Sequence, residues 1–420
     1  MKSRKILMFL LAAGSLVFSA SAEMMDRPVG IKIGQRMTLK PYVAVSASYD
    51  SNVDRSKNGT DDVVWIVNPS LSLEYKTDSW ILMANAFYQY NSYLKKVHRT
   101  VQSGHSFGQS VVFDWNSSGR GEKGWSLMIS ENFQQVNHTE DFTLSDGRNY
   151  GRDRREFRAS GAVQRRFTDD LHMNVNTGYY WLDYDNENNA SYGLYGWDRY
   201  TIGTEIGYAT SKWTDFLISG GYQHFTQDNV KNPYYNSKGR VLSSESDGFS
   251  IQGGIGSHAT ERISYRLLGG WSTFRFAEGD GEASNGFTYT VAGEWKISDT
   301  WRTMCLATSY YQPTEREFGS SQRVDAFSWG IAHTMVRGKL YASFDTMYRR
   351  ETREYSGSGV YDYDLDIMSF KLGLNYILNR YVTVFFNGEY CNSMSATESS
   401  YGEYYDYDRF RGTLGLKFTY

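Results

Sequence analysis

Cysteine and proline are scarce in this chain: two of the first and five of the second in 420 residues. Cys305 and Cys391 sit in separate strand-like runs, so no disulfide staple is expected and both are read as free thiols. Few prolines leave long strands uninterrupted. Long apolar runs are missing after the first twenty or so residues, and the mean hydropathy is −0.55. That excludes a helical membrane protein. A net charge of −3 gives no basic footprint for nucleic acid. Zinc-ligand spacing is missing too. None of His98, His105, His138, His172, His224, His258 and His333 forms the i, i+4 pair of HExxH. No local signature supports a Ser, His and carboxylate triad, so no catalytic, cofactor or metal residue is assigned and no enzyme is expected.

Aromatic residues make up 16% of the chain, with 34 Tyr, 23 Phe and 11 Trp, and there are 40 Gly. Tyr and Gly within strand patterns suit a twisted sheet with aromatic girdles. At the N-terminus Lys2, Arg4 and Lys5 precede an apolar stretch from Ile6 to Phe18, and Ala20-Ser21-Ala22 forms a small-x-small cleavage site. Residues 1–22 read as a secretory signal peptide. Its removal takes three cations from a net −3 and leaves about −6. Residues 23–40 are read as a short periplasmic segment and 41–420 as one barrel.

From about Tyr42 to Tyr420 apolar and polar residues alternate, as the pleat of a strand requires. Val382, Val384, Phe386 and Tyr390 fall on one face, and Thr383, Asn387 and Glu389 on the other. In the last strand Phe410, Leu414, Leu416, Phe418 and Tyr420 oppose Arg409, Arg411, Thr413, Lys417 and Thr419. The runs 124–136 and 323–336 alternate poorly, so a slip or bulge is expected there. Connections fall into two alternating classes. One is short, such as Lys76-Thr77-Asp78-Ser79, Ser298-Asp299 and Arg337-Gly338. The other is long and polar: 51–61, 94–103, 137–152, 186–195, 228–246, 276–285, 313–322, 351–361 and 392–406. Aromatics recur beside the short turns: Tyr75, Trp80, Phe167, Trp213, Trp295, Trp301 and Tyr381. Such recurrence at one height is what an interfacial girdle needs.

A chain that crosses a membrane without apolar helices must do so as a closed barrel. The expected fold is therefore all-β: a transmembrane antiparallel up-and-down β-barrel of about eighteen strands, with about sixteen as the alternative count. Short periplasmic turns and long extracellular loops follow from the sorting of connections. The expected location is the outer membrane of a Gram-negative-type bacterium. Outer-membrane lipid and lipopolysaccharide are the surrounding partners. Tyr420, closing an amphipathic strand, resembles the signal read by the barrel assembly machinery. A soluble propeller or sandwich is the bland alternative, but it has no reason to sort its loops by length.

Pro41-Tyr42, then Ser48-Tyr49-Asp50-Ser51-Asn52-Val53, then Asn68-Pro69-Ser70-Leu71-Ser72-Leu73-Glu74-Tyr75 form a recognisable phrase in the first hairpin. The phrase resembles the putative β-barrel porin-2 family of outer-membrane proteins. The resemblance implies an outer-membrane barrel and a porin, and it brings no catalytic residue. Barrels of this kind are often associated with exopolysaccharide loci, which implies the alternative function below.

The candidate pore-lining set is Glu74, Asn85, Gln89, Arg158, Arg166, Glu205, Asp215, Arg262, Arg266, Glu294, Lys371, Asn387, Glu389, Arg409, Arg411 and Lys417. A wet lumen lined by both signs sorts solutes by charge and size, whereas cross-strand ion pairs would merely hold the wall. Acidic clusters, among them Asp362, Asp364 and Asp366, either face water at the loop mouths or hold divalent cations. The loop 228–246 is expected to fold inward. The expected function is a porin-like channel for passive diffusion of small hydrophilic solutes. The alternative is a barrel for polysaccharide export, anchoring or surface interaction without general pore activity. The oligomeric state is left open.

Overall fold

The computed structural model describes residues 30–53, 59–95, 103–116, 124–137, 154–184, 196–211, 213–227, 245–257, 262–276, 284–313, 321–336, 338–354, 364–395 and 406–420. They form a single sheet of nineteen strands. The first seven are β1 (Ile31–Ile33), β2 (Met37–Asp50), β3 (Asp62–Lys76), β4 (Trp80–Tyr93), β5 (Ser103–Asn116), β6 (Trp125–Asn137) and β7 (Arg154–Arg166). Next come β8 (Leu171–Tyr184), β9 (Trp197–Ala209), β10 (Asp215–Gln227), β11 (Glu245–Ser257), β12 (Ile263–Phe276) and β13 (Ser284–Trp295). The last six are β14 (Trp301–Pro313), β15 (Ser321–Val336), β16 (Leu340–Glu354), β17 (Asp364–Ile377), β18 (Val382–Ser395) and β19 (Tyr407–Thr419). The described residues contain no helix.

From β2 onward each strand pairs antiparallel with the next, and β19 returns to β2 with Arg411 opposite Asp50 and Thr419 opposite Tyr42. The sheet therefore has no free end, and the backbone groups of the wall are satisfied by neighbouring strands. β1 adds to β2, with Ile31 opposite Leu39 and Ile33 opposite Met37, after a turn at Gly34 (φ 68°). It occupies the part of the β2 edge that β19 leaves open, which removes an unpaired edge. The barrel thus begins at Met37 rather than at 41, and the segment before it is partly strand.

The two faces separate as the pleat dictates. Val43, Val45, Leu71, Ile202, Ile251, Leu414 and Phe418 are exposed on the outside. Ser46, Ser48, Ser70 and Asn91 are buried on the inside. Tyr75 stacks on Trp80 at 5.0 Å, and Tyr381 on Tyr420 at 6.2 Å, at the short-turn end. Most short turns are closed by a Ser, Thr or Asn side chain that accepts an amide two or three residues on. Asn379 Oδ1 takes the Tyr381 and Val382 amides at 2.8 and 3.0 Å. Thr168 Oγ1 takes the Leu171 amide at 3.0 Å, and Ser298 Oγ the Trp301 amide at 3.2 Å. The turn before β16 uses Gly338 (φ 74°), where a left-handed backbone favours glycine. β15 has a register shift between Thr334 and Val336, whereas β6 keeps a continuous register on both sides.

The wall is not a smooth cylinder. Neighbouring strands lie about 4.8 Å apart, so β9 and β12 would be some three steps apart on a round wall. Yet Arg266 on β12 bonds Glu205 on β9 directly. Gln252 on β11 reaches over β12 to Thr288 (3.2 Å) and Thr290 (3.4 Å) on β13. The sheet folds sharply here because inward glycines let backbones approach. A Cβ on Gly270 would sit 1.9 Å from the Ile251 carbonyl oxygen, and one on Gly254 2.0 Å from that of Leu267. β14 takes part in the same fold. It pairs with β13 only from Thr303 to Thr308, but with β15 along its whole length. Beyond Thr308 it lies on the lumen side of β13.

Candidate functional site

The inward positions of β8 to β17 line a cavity of about 400 Å³. Hydroxyl and amide side chains punctuate a mostly apolar surface: Asn174, Asn176, Thr201, Gln223, Gln252 and Ser328 contribute them. These residue types alternate with lipid-facing Val, Ile and aromatic residues, so the pleat delivers them to one side.

The inner end of β14 forms part of this wall. Tyr311 Oη donates to the Asn285 carbonyl at 3.3 Å, and Gln223 Nε2 donates to the Tyr311 carbonyl at 3.2 Å. A hydroxyl contact between Ser284 and Ser321 joins β13 to β15 directly. A strand segment therefore narrows the lumen. The loop expected to do so, 228–246, lies outside the described residues up to position 244. Sequence gave one signal for the tuck. The positions of β14 that should meet lipid turn small or polar after Trp301: Thr303, Cys305, Ala307 and Ser309.

Glu74, Asn85, Gln89, Arg158, Arg166, Glu205 and Asp215 occupy inward positions of their strands. So do Arg266, Glu294, Lys371, Asn387, Glu389, Arg409, Arg411 and Lys417. Arg262 differs: it lies before β12, exposed in the preceding turn. Side chains that the sequence reading missed but that share the inner face are Asp50, Glu156, Arg302, Asp345, Arg349 and Glu351.

Most of these charges meet an opposite charge. Lys40 Nζ bonds Glu74 Oε2 at 3.0 Å, and Lys371 Nζ lies 3.1 Å from Glu389 Oε1. Arg302 Nε lies 2.8 Å from Glu294 Oε1, and Arg349 Nη2 2.7 Å from Glu351 Oε1. Glu156 takes Arg154 at 2.7 Å and Arg158 at 3.4 Å, while the Arg158 guanidinium sits 4.6 Å over the Tyr180 ring. Arg411 Nε donates to Ser48 Oγ at 2.9 Å, and Lys417 Nζ lies 4.2 Å over the Tyr42 ring. Opposite charges in contact cancel at a distance, so little net field extends into the cavity. At mid-height on β3 and β4 the lining is neutral. Ser70 and Ser72 both donate to Asn85 Oδ1, at 3.0 and 2.8 Å, and Asn68 Nδ2 donates to Gln89 at 3.3 Å.

At the long-loop end the inner face is packed. Val136, Leu182, Phe274, Val324 and Leu365 are each at most 1% exposed. Tyr180, Leu182, Trp197 and Phe225 form one apolar cluster there, and Leu365, Ile367, Cys391 and Tyr407 another. Outside, at the same end, tyrosines bond carboxylates of the next strand: Tyr179 to Asp198, Tyr222 to Asp247 and Tyr348 to Asp366, each at 2.6 Å. Asp364 bonds Arg350. The two described carboxylates of the 362–366 cluster thus serve the wall, and Asp362 lies outside the described residues. Among the described residues no three His, Cys, Asp or Glu side chains gather as a metal site. His105, His224 and His333 point outward, and His98, His138 and His258 lie outside the described residues, as does the expected signal peptide.

A family model described as putative beta-barrel porin 2 matches residues 26–420. No curated protein matches the chain. Among solved structures, the chain is similar to the ferric enterobactin receptor PfeA of Pseudomonas aeruginosa: 8% identity, 93% of this chain and 81% of that one covered, TM-score 0.45. It is similar to the siderophore receptor PirA of Acinetobacter baumannii at 8% identity, with 93% and 81% covered and a TM-score of 0.45. The FrpB iron transporter of Neisseria meningitidis is 12% identical, with 91% and 66% covered and a TM-score of 0.46.

Proposed function

The chain belongs to the putative beta-barrel porin 2 family, and from that premise we propose that it is an outer-membrane channel for passive diffusion of small hydrophilic solutes. The observation that carries this is the lumen: a cavity of about 400 Å³ inside a closed barrel, with hydroxyl and amide groups such as those of Asn176, Thr201 and Gln252 set into its wall. Such groups replace part of a solute's hydration, which lowers the cost of entry. Because the charged side chains are largely paired, the channel sorts by size and hydrogen bonding more than by sign. The surrounding partners are outer-membrane lipid and lipopolysaccharide. Tyr420, stacked on Tyr381, is the group offered to the barrel assembly machinery. The full-length mature protein, inserted into a planar bilayer, is expected to give discrete conductance steps with weak ion selectivity. Silence across voltages and salt concentrations would count against the channel.

One observation favours a second reading. The inner face at the long-loop end is packed by apolar side chains, which suits a barrel with a restricted mouth. A barrel for polysaccharide export, anchoring or surface interaction would then be silent in the bilayer. Deleting it would change the cell-surface polysaccharide while leaving solute uptake unaltered.

A further inference from the structure

The outer wall carries one group that does not suit lipid. Glu131 is the seventh of thirteen residues in β6, so it sits at mid-height, and its position faces outward. Every other outward charge among the described residues of β2 to β19 lies nearer a strand end. Arg155, Asp183, Asp198, Glu245, Asp247, Arg275, Arg323, Asp325, Arg350, Asp364, Asp366 and Asp408 are toward the long-loop end, and Arg165 is at the short-turn end. A carboxyl group at the centre of hydrocarbon is costly whether it is ionised or protonated, and an ionisable residue at that depth calls for a partner.

Glu131 has an in-chain neighbour of matching chemistry. Gln109, also outward and also at the middle of its strand, donates Nε2 to Glu131 Oε1 at 3.3 Å. That bond uses one of two amide hydrogens and one of several carboxyl lone pairs. The pair therefore still presents both a donor and an acceptor to its surroundings. Val111 lies opposite Glu131 and Ile129 is the next outward residue on β6, while the outward positions on the flanking strands are small: Ala84 and Ala86 on β4, Ala159 and Gly161 on β7, and Thr177 on β8. Large rings border the strip above (Phe107, Phe133, Phe157) and below (Trp115, Trp125). Elsewhere at this height the wall presents bulky Ile202, Ile251 and Leu414 beside small Gly220, Gly269 and Gly412, so the polar pair, not the small residues alone, marks the strip. Small outward residues let two membrane walls come close, and polar groups bond across them.

We propose that the mid-height strip of β4–β8 is an interface with a second copy of this chain, in which Gln109 and Glu131 bond reciprocally across a two-fold axis. The symmetry fits. Both copies must stand the same way up in one membrane, so the axis runs along the membrane normal. Rotation by 180° about such an axis between β5 and β6 sets β5 of one copy against β6 of the other. Gln109 of each copy then meets Glu131 of its mate at the same height, as a self-complementary contact requires. Close approach over alanine and glycine removes both polar groups from hydrocarbon.

The test uses the full mature chain in its own membrane. In a background carrying Cys305→Ser and Cys391→Ser, single cysteines are placed on the two strands that flank the axis by Val111→Cys on β5 or Ile129→Cys on β6, with Ile251→Cys and Leu414→Cys as far-wall controls. Oxidative cross-linking in isolated outer membranes should give a product of twice the chain mass at the first two positions and none at the controls. The wild type in mild detergent should run as a dimer by light scattering. Glu131→Leu should shift the dimer to monomer by at least tenfold in concentration while keeping the heat-modifiable mobility of a folded barrel. Glu131→Gln should retain the dimer. Equal cross-linking at all four positions, a product of any other mass, or identical assembly of wild type and Glu131→Leu would overturn the proposal. The cross-linking result stands even if Glu131→Leu fails to fold.

Discussion

Arg409 and Asp50, 359 residues apart in sequence, form a two-sided ion pair at the seam where the last strand meets β2. Arg409 Nε lies 2.8 and 3.0 Å from the two carboxylate oxygens, and Nη2 bonds Oδ2. Both residues are 1% exposed. The seam is also a short junction of the wall, since β19 and β2 share only the register from Arg411–Asp50 to Thr419–Tyr42, and among β2 to β19 only β13 with β14 share less. Removing one partner leaves a buried charge without its counter-charge, which costs about 3–5 kcal/mol. Asp50→Ala and Arg409→Ala are each expected to lower the urea midpoint of the refolded barrel strongly. The double variant Asp50→Leu with Arg409→Met should recover most of the loss. Single variants as stable as wild type would show that the seam does not depend on this pair.

The inside and outside of the wall can be told apart by one residue type at two positions. Leu414 is outward near the middle of β19 and 60% exposed. Asn387 is inward near the middle of β18, opposite Thr413. Arginine at the lipid-facing position should cost about 2–4 kcal/mol, while lumen positions tolerate charge. Leu414→Arg should therefore fold poorly into vesicles, and Asn387→Arg should fold like wild type but alter ion selectivity. Equal folding yields for the two would place the greasy face elsewhere than in lipid.

At the outer rim, Lys95 Nζ lies 2.8 Å from both oxygens of Asp61. The Lys95 hydrogen bond and charge hold the Asp61 carboxyl below the usual carboxylate range, and the bond that Lys95 donates to Asp61 raises Lys95. A lowered carboxylate contributes stability that is present above its unfolded pKa and lost as pH falls through the folded value. The raised lysine contributes stability present below its unfolded pKa and lost only as pH climbs through the folded one. The pair therefore spans the whole neutral range. Both side chains reach solvent, so salt should weaken it. Carbon NMR of the Asp61 carboxyl should show titration below the ordinary aspartate value, returning toward it in Lys95→Met. An unchanged titration in that variant would remove the pair as the cause.

The fold was legible because each level of the sequence agreed with the next. Alternation placed Val384 and Phe386 on the lipid side and Asn387 and Glu389 inside, and the structure pairs them so. Loop sorting placed Thr77, Thr168, Ser298 and Asn379 in turns, where their side chains cap amides. The poor alternation of 323–336 marks a real bulge. That of 124–136 does not: β6 keeps its register, and the pattern breaks because Glu131 is an outward polar residue. Period alone cannot distinguish a slipped strand from a strand with a partner. The lumen was the least legible part. Contacts such as Arg266 with Glu205, or Gln223 with Tyr311, join strands that are not neighbours. They depend on how sharply the wall folds at Gly254 and Gly270, and strand period carries no record of that curvature.

The tuck of β14 sets the width of the lumen, so loosening it should widen the channel. Two bonds hold the segment inward: Tyr311 Oη to the Asn285 carbonyl, and Gln223 Nε2 to the Tyr311 carbonyl. Neither residue is itself charged, and each hydrogen bond contributes about 1 kcal/mol net, so the barrel should survive their loss. Tyr311→Ala also removes a ring packed under Gly286, where a Cβ would come within 2.4 Å of the tyrosine hydroxyl. Gln223→Ala with Tyr311→Ala is expected to raise single-channel conductance and to admit larger neutral sugars in liposome swelling. Cysteines at Ser284 and Ser321, oxidised to a disulfide across the contact that joins β13 to β15, should hold the wild-type conductance. Unchanged conductance in the double alanine variant, in a protein that still conducts, would mean that the narrowest point lies elsewhere along the lumen.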